Sequence, residues 1–278
     1  MSMKWRRRIL GSALPYIILT AIGLCFLLPL LWVVVASLNA NASEVLEMPK
    51  NVTLGNYIQV LQSQTNLRSF AIGLGMSIIQ TLFVVVVAGL CAYPLSRYQM
   101  KNKKLFLYSI LFMTSLPITA LMVPVYQLFI TVKLYDNIFG VILFLTASAL
   151  PYGIWMMKNF MDSIPIEMEE AAWVDGAGTF TTIRKIIAPI MLPGIFTVAI
   201  YTFSGSWGNF FVPYILISTA EKYPASVMLY QFFGNHGMIA YGPLAAYSVL
   251  YATPSILLYV ISQKYMSKGF SMQGAAKG

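Results

Sequence analysis

Residues 69–96 read SFAIGLGMSIIQTLFVVVVAGLCAYPLS, and no Asp, Glu, Lys or Arg interrupts them. A helix needs about 20 apolar residues to cross the hydrocarbon core of a bilayer, so this run is long enough for one span. In lipid every backbone amide must be paired within the protein, and a run this long and apolar pairs its amides as a helix rather than as a short barrel strand. The stretch therefore predicts a transmembrane helix.

The same pattern extends over most of the chain. Five further runs contain no charged side chain: Ile9–Ser43, Leu105–Val132, Asn137–Met157, Ile186–Ala220 and Tyr223–Gln263. The 278 residues are 58% hydrophobic and only 10% charged, whereas soluble domains carry about 25% charged residues. We therefore predict an all-α integral membrane protein with six transmembrane helices, in a single transmembrane domain over residues 1–278.

The six spans differ in their expected regularity. They are expected near Leu14–Ser37, Phe70–Leu95, Leu105–Val132, Ile138–Met157, Pro189–Ile217 and Leu244–Gln263. The third contains Pro117 and Pro124, each of which removes a helical hydrogen bond and invites a kink that faces protein or water. Between the first two spans, Asn56–Leu61 is predicted to form a short helix at the membrane interface.

The net charge of +9 is explained by topology. A nucleic-acid-binding chain would carry its basic residues on a soluble core, which is not seen here. If the amino terminus is cytoplasmic, only Lys50, Arg68, Lys133 and Lys222 of the 18 basic residues fall in outside segments. Lys and Arg accumulate on the cytoplasmic side of membrane proteins, so we predict a multi-pass protein with both termini in the cytoplasm.

The longest predicted cytoplasmic connection, residues 159–188, lies between the fourth and fifth spans and combines acids, bases and glycines. Ser163 can cap a helix whose first turn tolerates Pro165, and Gly176 can take the left-handed conformation that ends it after about three turns. A second helix is expected from near Thr179. The first helix would present an acidic, alanine-bearing surface on which another protein could dock; a solvated linker is the alternative.

This connection resembles the loop signature of binding-protein-dependent ABC importer permeases. The resemblance is carried by Glu170-Ala171-Ala172, Asp175-Gly176-Ala177, Ile187, Pro189 and Pro193. Nearly the whole chain is similar to the smaller six-helix partner of the maltose-type carbohydrate permeases. That similarity rests on the basic amino terminus, Leu54-Gly55-Asn56-Tyr57, Ser206-Trp207-Gly208-Asn209-Phe210 and the Gly-Ala-Ala-Lys-Gly end. The fifth span departs from the family pattern, in which Trp-Asn is commonly followed by an acid and Phe.

The resemblance implies that the loop is a coupling helix, which seats in a cleft of a cytoplasmic ATPase. Closure of the ATPase dimer on ATP would then move the membrane helices. The residues to which the resemblance assigns this docking are Glu169, Glu170, Ala171, Ala172, Asp175, Gly176 and Ala177. The cytoplasmic tail, residues 264–278, is too polar and glycine-rich to fold alone, and by resemblance Gln273, Gly274 and Lys277 dock between the ATPase subunits. A disordered end is the alternative.

The implied assembly is a sugar importer in a bacterial inner membrane. Its other parts would be a second permease subunit in a heterodimer, the ATPase dimer and an extracytoplasmic sugar-binding protein. ATP and magnesium would bind to the ATPase, so no cofactor or metal is expected in this chain. The chain has no Walker A or His-Glu-x-x-His motif, and its one histidine has no evident triad partners. We therefore expect no catalytic residue and no enzymatic activity.

A sugar that crosses the membrane needs hydroxyl partners and a flat apolar face on which to stack. The residues of these types within the spans, and so the candidates for the substrate path, are Tyr126, Gln127, Tyr201, Ser204, Trp207 and Asn209. Hydrogen bonding between helices explains each of them almost as well.

Three other functions are weighed against a sugar importer. An ion- or proton-coupled secondary transporter usually needs a buried ionisable residue, and none lies in the six predicted cores. A membrane enzyme would gather acids or histidines at an interface, whereas the acids here gather on one predicted helix. An ABC permease for a non-sugar solute is disfavoured only by the likeness to sugar permeases.

Overall fold

The computed structural model describes residues 3–45, 47–49, 51–233 and 239–275, with the backbone alone for residues 3–14 and 264–275. Within these residues the secondary structure is helical, apart from one isolated bridge between Asn39 and Val52. The α-helices are α1 (Met3–Ser37), α2 (Gly55–Gln62), α3 (Gln64–Arg97), α4 (Lys103–Thr114), α5 (Ile118–Thr131), α6 (Ile138–Asp162), α7 (Glu167–Val174), α8 (Thr179–Thr182), α9 (Ala188–Trp207), α10 (Phe211–Leu216), α11 (Ala225–Gln231) and α12 (Tyr241–Ala275). A π-helical turn, Ile183–Ile187, joins α8 to α9, and Ala220–Lys222 form a 3₁₀ turn.

The predicted class of α-helical membrane protein is confirmed. Among the described residues, the helices long and apolar enough to cross a membrane are Pro15–Ser37, Gln64–Arg97, Ile138–Asp162, Thr179–Trp207 and Tyr241–Gln263. A sixth span results if α4 and α5, which meet at an angle of 93°, are counted together. The predicted short helix after the first span is present as α2.

The third predicted span is not one kinked helix. α4 ends at Thr114, and α5 begins at Ile118 after Pro117, whose ψ of 123° is extended. Proline has no N–H to donate to the preceding turn, which is why the helix can stop there. Pro124 lies inside α5, and the helix continues through it. Both prolines were predicted to kink one helix. Pro117 instead separates two helices, and Pro124 lies within the second helix without ending it.

The fifth predicted span has different ends from those expected. It begins at Thr179, because the predicted second loop helix runs through the π-helical turn into α9 without a break. It ends at Trp207 rather than at Ile217, and Gly208 follows as its carboxyl-terminal cap. The chain then turns at Asn209 and enters α10, so the predicted span is in fact two helices.

The chain forms two compact units. The first contains residues up to Asn66 together with Leu229–Ala252. In this unit the Asn56 side chain donates to the carbonyl oxygens of Ser37 and Asn39 at 3.0 and 2.9 Å. A Cβ atom on Gly242 would lie 2.7 Å from the Asn56 amide, so α12 passes close to α2 here. Asn56 therefore ties α2 to the end of α1.

The second unit contains residues Leu67–Met228 and those from Thr253 onward. α3, α6 and α9, together with α4, form one apolar cluster of its core, and α5 and α10 pack with α3 and α6 in a second cluster. Two glycines let α3, α6 and α9 approach closely. A Cβ atom on Gly153 would lie 2.9 Å from Val84 of α3, and one on Gly194 would lie 2.6 Å from the Phe160 ring of α6. Small residues serve this purpose where helices associate in lipid. The backbone of α9 at Gly194 therefore lies directly against the Phe160 side chain of α6.

The turn between α5 and α6 is held by Asp136, which has a φ of 56°. Its carboxylate accepts hydrogen bonds from the backbone of Ser218 and Thr219, both at 3.0 Å, and from Lys222 Nζ at 2.6 Å. Burial alone raises the pKa of Asp136, but the hydrogen bonds from Lys222, Thr219 and Ser218 outweigh it and hold the pKa well below its usual range. The ionised carboxylate therefore stabilises this turn.

We expect Asp136→Asn to destabilise the protein at pH 7 by about 1 kcal/mol, since the ion pair with Lys222 is partly screened by solvent. A carboxylate with a lowered pKa contributes stability above its unfolded pKa of about 3.9, and this contribution is lost as the pH falls further. The difference in the free energy of unfolding between the variant and the wild type should therefore narrow below about pH 4. Thermal unfolding in detergent measures it, with Glu221→Gln as the control. A gap that stays constant down to pH 3 would contradict this account.

Candidate coupling site

The helix predicted to act as the coupling helix is α7, and it is shorter than predicted. It starts at Glu167 and spans two turns rather than three. Ser163 does not cap it; the Ser163 hydroxyl donates to the carbonyl of Phe160 at 2.6 Å and belongs to the end of α6. Residues 164–166 turn the chain from α6 into α7, so the helix begins only after them, at Glu167.

The end of α7 is formed as predicted. Gly176 has a φ of +82°, in the left-handed region that glycine adopts without steric penalty. Its N–H donates to the carbonyl of Trp173 at 3.0 Å, and the N–H of Ala177 donates to that of Ala172 at 2.9 Å. This pair of bonds satisfies carbonyls at the end of the helix. The tight bend directs the chain straight into α8.

Glu169 faces the protein interior. Its side chain has no exposed surface, and Arg97 Nε binds its Oε1 atom. Tyr93 donates its hydroxyl to Oε2 at 3.0 Å, and Arg97 Nη2 also donates to the carbonyl of Ile164 at 3.1 Å. We call Tyr93, Arg97 and Glu169 the buried ion-pair cluster. Because both carboxylate oxygens are bound inside the chain, the prediction that Glu169 lies on the docking surface is wrong.

Ala172 is also buried, because it lies one turn after Glu169 on the same face of α7. It therefore packs within the chain and does not offer a surface to another protein. A second set of contacts joins α3 to α6 beside this face. The Ser96 hydroxyl donates to Asp162 Oδ1 at 2.6 Å, and Lys158 pairs with the same carboxylate. The ends of α3 and α6 and the inner face of α7 are thus fastened together.

The remaining predicted coupling residues lie on the opposite face: Glu170, Ala171, Asp175 and Gly176 are exposed, and Ala177 is half-buried. Large apolar side chains lie among them, with Val174 88% and Phe180 76% exposed. We define the exposed coupling surface as Glu170, Ala171, Trp173, Val174, Asp175 and Phe180. It is more apolar than the acidic surface expected from the sequence. Large exposed apolar side chains close together in the chain indicate an interaction site.

Two of the predicted substrate-path residues have structural roles. Trp207 is buried, and its ring lies against those of Phe70 and Phe203, with centroids 6.3 Å apart in both cases. Asn209 accepts the backbone N–H of Val212 at 3.0 Å through Oδ1, which starts α10 after the turn. Packing and turn formation explain both residues, so the structure does not favour them as substrate contacts.

The other four path candidates are more accessible but lie on two helices. On α5, Tyr126 packs edge-on against Tyr135 at 5.2 Å, while Gln127 is exposed. On α9, Tyr201 and Ser204 are both exposed and share a face, since they are three residues apart. The Tyr201 ring lies 4.7 Å from that of Tyr152 on α6. This aromatic pair with a neighbouring hydroxyl has the chemistry that a sugar face requires, and Tyr152 was not predicted.

The sequence profile of the family described as "Binding-protein-dependent transport system inner membrane component" matches residues 85–271, which include the coupling site. The match covers more than half of the chain. The chain belongs to this family. It is therefore a permease subunit of an ABC importer.

Relatives of this permease are similar over almost their whole length. A probable ABC transporter permease protein of Pyrococcus horikoshii is 32% identical, with 96% of this chain and 97% of the relative covered. The trehalose transport system permease protein of Mycobacterium tuberculosis is 29% identical, over 91% and 93% of the two chains. The maltodextrin transport system permease protein of Streptococcus pneumoniae is 25% identical, over 98% of both.

A solved structure has the same fold as the permease. A chain of a bacterial ABC transporter for the import of alginate superposes with a TM-score of 0.82 at 23% identity. The superposition covers 95% of the permease and 98% of that chain. At this level of identity the likeness concerns the fold alone.

The tail of the permease differs from the prediction in its backbone. α12 continues to Ala275, so Gln273 and Gly274 lie in a helix that is continuous with the last span. Extending an existing helix needs no new nucleation, which explains why a polar, glycine-containing segment can remain helical. Lys277, the third predicted docking residue, lies outside the described residues.

Tyr93 and Arg97 bind the Glu169 carboxylate at the candidate site, and sequence reasoning missed both. From the sequence, Arg97 only contributes to the excess of positive charge at the cytoplasmic ends of the spans. One signal was available: Tyr93 and Arg97 are four residues apart and so share a helix face. A tyrosine and an arginine on one face at the end of a span are suited to bind a carboxylate.

Proposed function

We propose that the permease forms half of a carbohydrate translocation path and is driven by a separate cytoplasmic ATPase. The observation that carries this proposal is the exposed coupling surface on α7 and α8. Val174 ends α7, which is not one of the helices long and apolar enough to cross a membrane, and Phe180 lies at the very start of the fifth span. Large exposed apolar side chains at such positions mark a site of interaction with another protein. ATP and magnesium would bind to the ATPase, and its closure would switch the path between outward and inward access.

The charge of the coupling surface suits a basic cleft. Glu170 and Asp175 are exposed beside the apolar side chains and have no ion-pair partner in the part of the chain that the structure describes. Carboxylates at the rim of an apolar interface select the orientation of a positively charged partner and speed its association. We infer a cleft with an apolar floor and Arg or Lys at its edge.

A carbohydrate is the proposed solute because the named relatives include trehalose and maltodextrin permeases. The exposed Tyr201 and Ser204, with Tyr152 beside them, supply a stacking face and a hydroxyl. A second permease subunit would complete the path, and an extracytoplasmic binding protein would deliver the sugar, with both termini in the cytoplasm. Uptake of labelled disaccharides and amino acids by cells with and without the permease tests the solute class; uptake restricted to amino acids would overturn it.

We expect Val174→Asp to reduce association with the ATPase at least tenfold, and Phe180→Asp to act similarly. Burying an unpaired carboxylate costs several kcal/mol, and each 1.4 kcal/mol is about a tenfold change in affinity. The measurement is ATP hydrolysis that co-purifies with tagged full-length permease from native membranes. Val45→Asp is the matched control, because Val45 is an exposed valine far from α7 in the sequence.

Undiminished ATPase activity in both coupling-surface variants would exclude this surface as the docking site. If wild-type permease carries no ATPase activity at all, the proposed partner is wrong. The family assignment would stand in either case, because it rests on sequence similarity.

A further inference from the structure

The buried ion-pair cluster joins a helix that would contact the ATPase to a helix that spans the membrane. Glu169 lies on α7, one residue before the exposed Glu170, and both of its oxygens are bound by side chains of α3. Arg97 also binds the carbonyl of Ile164, which precedes α7, at 3.1 Å. α3 is therefore attached to α7 and to the segment that leads into it.

Stability alone does not account for this cluster. Buried ion pairs can often be replaced by apolar residues of similar volume without loss of stability, so leucine and methionine would serve for packing. A charge-assisted pair with a tyrosine hydroxyl differs in that it fixes distance and direction. Breaking it would leave an unpaired charge in the interior, so the two helices cannot separate easily.

α7 has few other means of moving α3. Among the described residues, Glu169 is the α7 carboxylate that makes an ion pair. The chain connections of α7 run to α6 and α8, and neither leads directly to α3. The link between Ser96 and Asp162 lies on α6. A displacement of α7 therefore reaches α3 most directly through the buried ion-pair cluster.

On the basis of the proposed function, we infer that Tyr93, Arg97 and Glu169 are positioning residues that make α7 and α3 move together. A push by the ATPase on the exposed face of α7 is passed by Glu169 on its inner face to Arg97. α3 extends from Arg97 back to Gln64 and carries this displacement across the membrane. Without the cluster, the ATPase would still dock and turn over, but α3 would not follow.

The test compares Glu169→Gln with wild type in the complete transporter, purified with its ATPase and placed in liposomes. Glutamine keeps the shape of the side chain but removes the charge that Arg97 binds. We expect the amount of solute moved per ATP hydrolysed to fall at least tenfold, with ATP hydrolysis and subunit assembly within twofold of wild type. Glu167→Gln, an exposed acid on the same helix, is the matched control and should leave the ratio unchanged.

A second measurement uses the permease alone, so that its failure is distinct from failure of the proposed function. Cys25 and Cys91 are first replaced by alanine. Spin labels are then placed at two exposed positions, Val174 at the end of α7 and Tyr98 directly after α3. The distance distribution between the labels should be narrow in the wild-type background and broader by at least half with Glu169→Gln.

Tyr93→Phe keeps the inference testable if Glu169→Gln does not fold. It removes one hydrogen bond and leaves the ion pair, so an intermediate fall in the transport ratio is expected. Wild-type ratios and an unbroadened distance distribution in every variant that folds would overturn the inference. If the wild-type permease does not bind an ATPase, the proposed function is refuted instead.

Discussion

Arg97→Ala is expected to destabilise the permease by about 3–5 kcal/mol, which is the range for removing one partner of a buried ion pair. The substitution leaves the Glu169 carboxylate without its cation at a position with no exposed surface. Tyr93 would still donate to Oε2, but one neutral donor does not replace a guanidinium. Unfolding of the purified permease in detergent, by heat or by denaturant, measures the loss.

Two further variants identify the cause of that loss. Arg97→Met combined with Glu169→Leu removes both charges and should recover most of the stability, because it leaves no unpaired group. Arg184→Ala removes an exposed arginine that makes no ion pair among the described residues. It should change the free energy of unfolding by less than about 0.5 kcal/mol. If the double variant is as unstable as Arg97→Ala, the loss comes from packing of the arginine stem and not from the orphaned charge.

Gly194→Ala is expected to destabilise the contact between α6 and α9 by about 1–3 kcal/mol. In a helix this change is normally favourable by roughly 1 kcal/mol. At this site the new Cβ would lie 2.6 Å from Cγ and 2.7 Å from Cβ of Phe160, closer than carbon atoms can pack. Either the Phe160 ring or one of the helices must shift. Thermal unfolding in detergent measures the effect.

Gly205→Ala is the matched control for Gly194→Ala. Gly205 lies on the same helix, and a Cβ atom added there would have no neighbour within 4 Å, so the change should be neutral or slightly stabilising. Phe160→Ala combined with Gly194→Ala should recover part of the extra loss, because the ring atoms are removed while Cβ of residue 160 stays 2.7 Å from the new methyl group. Equal stability of the Gly194 and Gly205 variants would show that the two helices are not held at this distance.

The spans could be predicted from the sequence because lipid leaves the backbone few alternatives. A long apolar run must pair its amides internally, and this sufficed for α1, α3, α6 and the apolar part of α12. It did not suffice for the third span. Pro117 and Pro124 have the same chemistry, yet the helix ends before Pro117 and runs through Pro124. The sequence shows that each proline removes a helical hydrogen bond. Whether the helix continues through the proline or ends before it depends on the packing of the surrounding helices.

The location of the candidate coupling site could also be predicted from the sequence. Which of its residues face the protein interior and which face solvent could not. Gly176 marks the end of α7 by its own conformational freedom, so a local signal was enough. Glu169 and Glu170 are adjacent and identical, and one is buried while the other is exposed. What separates them is Arg97, which lies 72 positions away in the chain. No periodicity within residues 159–188 reveals a partner so distant.

The π-helical turn at Ile183–Ile187 has a consequence for how the sequences of relatives should be compared. Such a turn closes its hydrogen bonds over five residues, so it accommodates one residue more than an α-helical turn. Each residue of an α-helix advances by about 100°, so everything before the turn, including Phe180, is rotated by that angle relative to an uninterrupted helix. A relative with one residue fewer here would keep the fifth span intact while presenting a different side chain beside α7. A gap of one position in this segment is thus a change of surface and not a loss of structure.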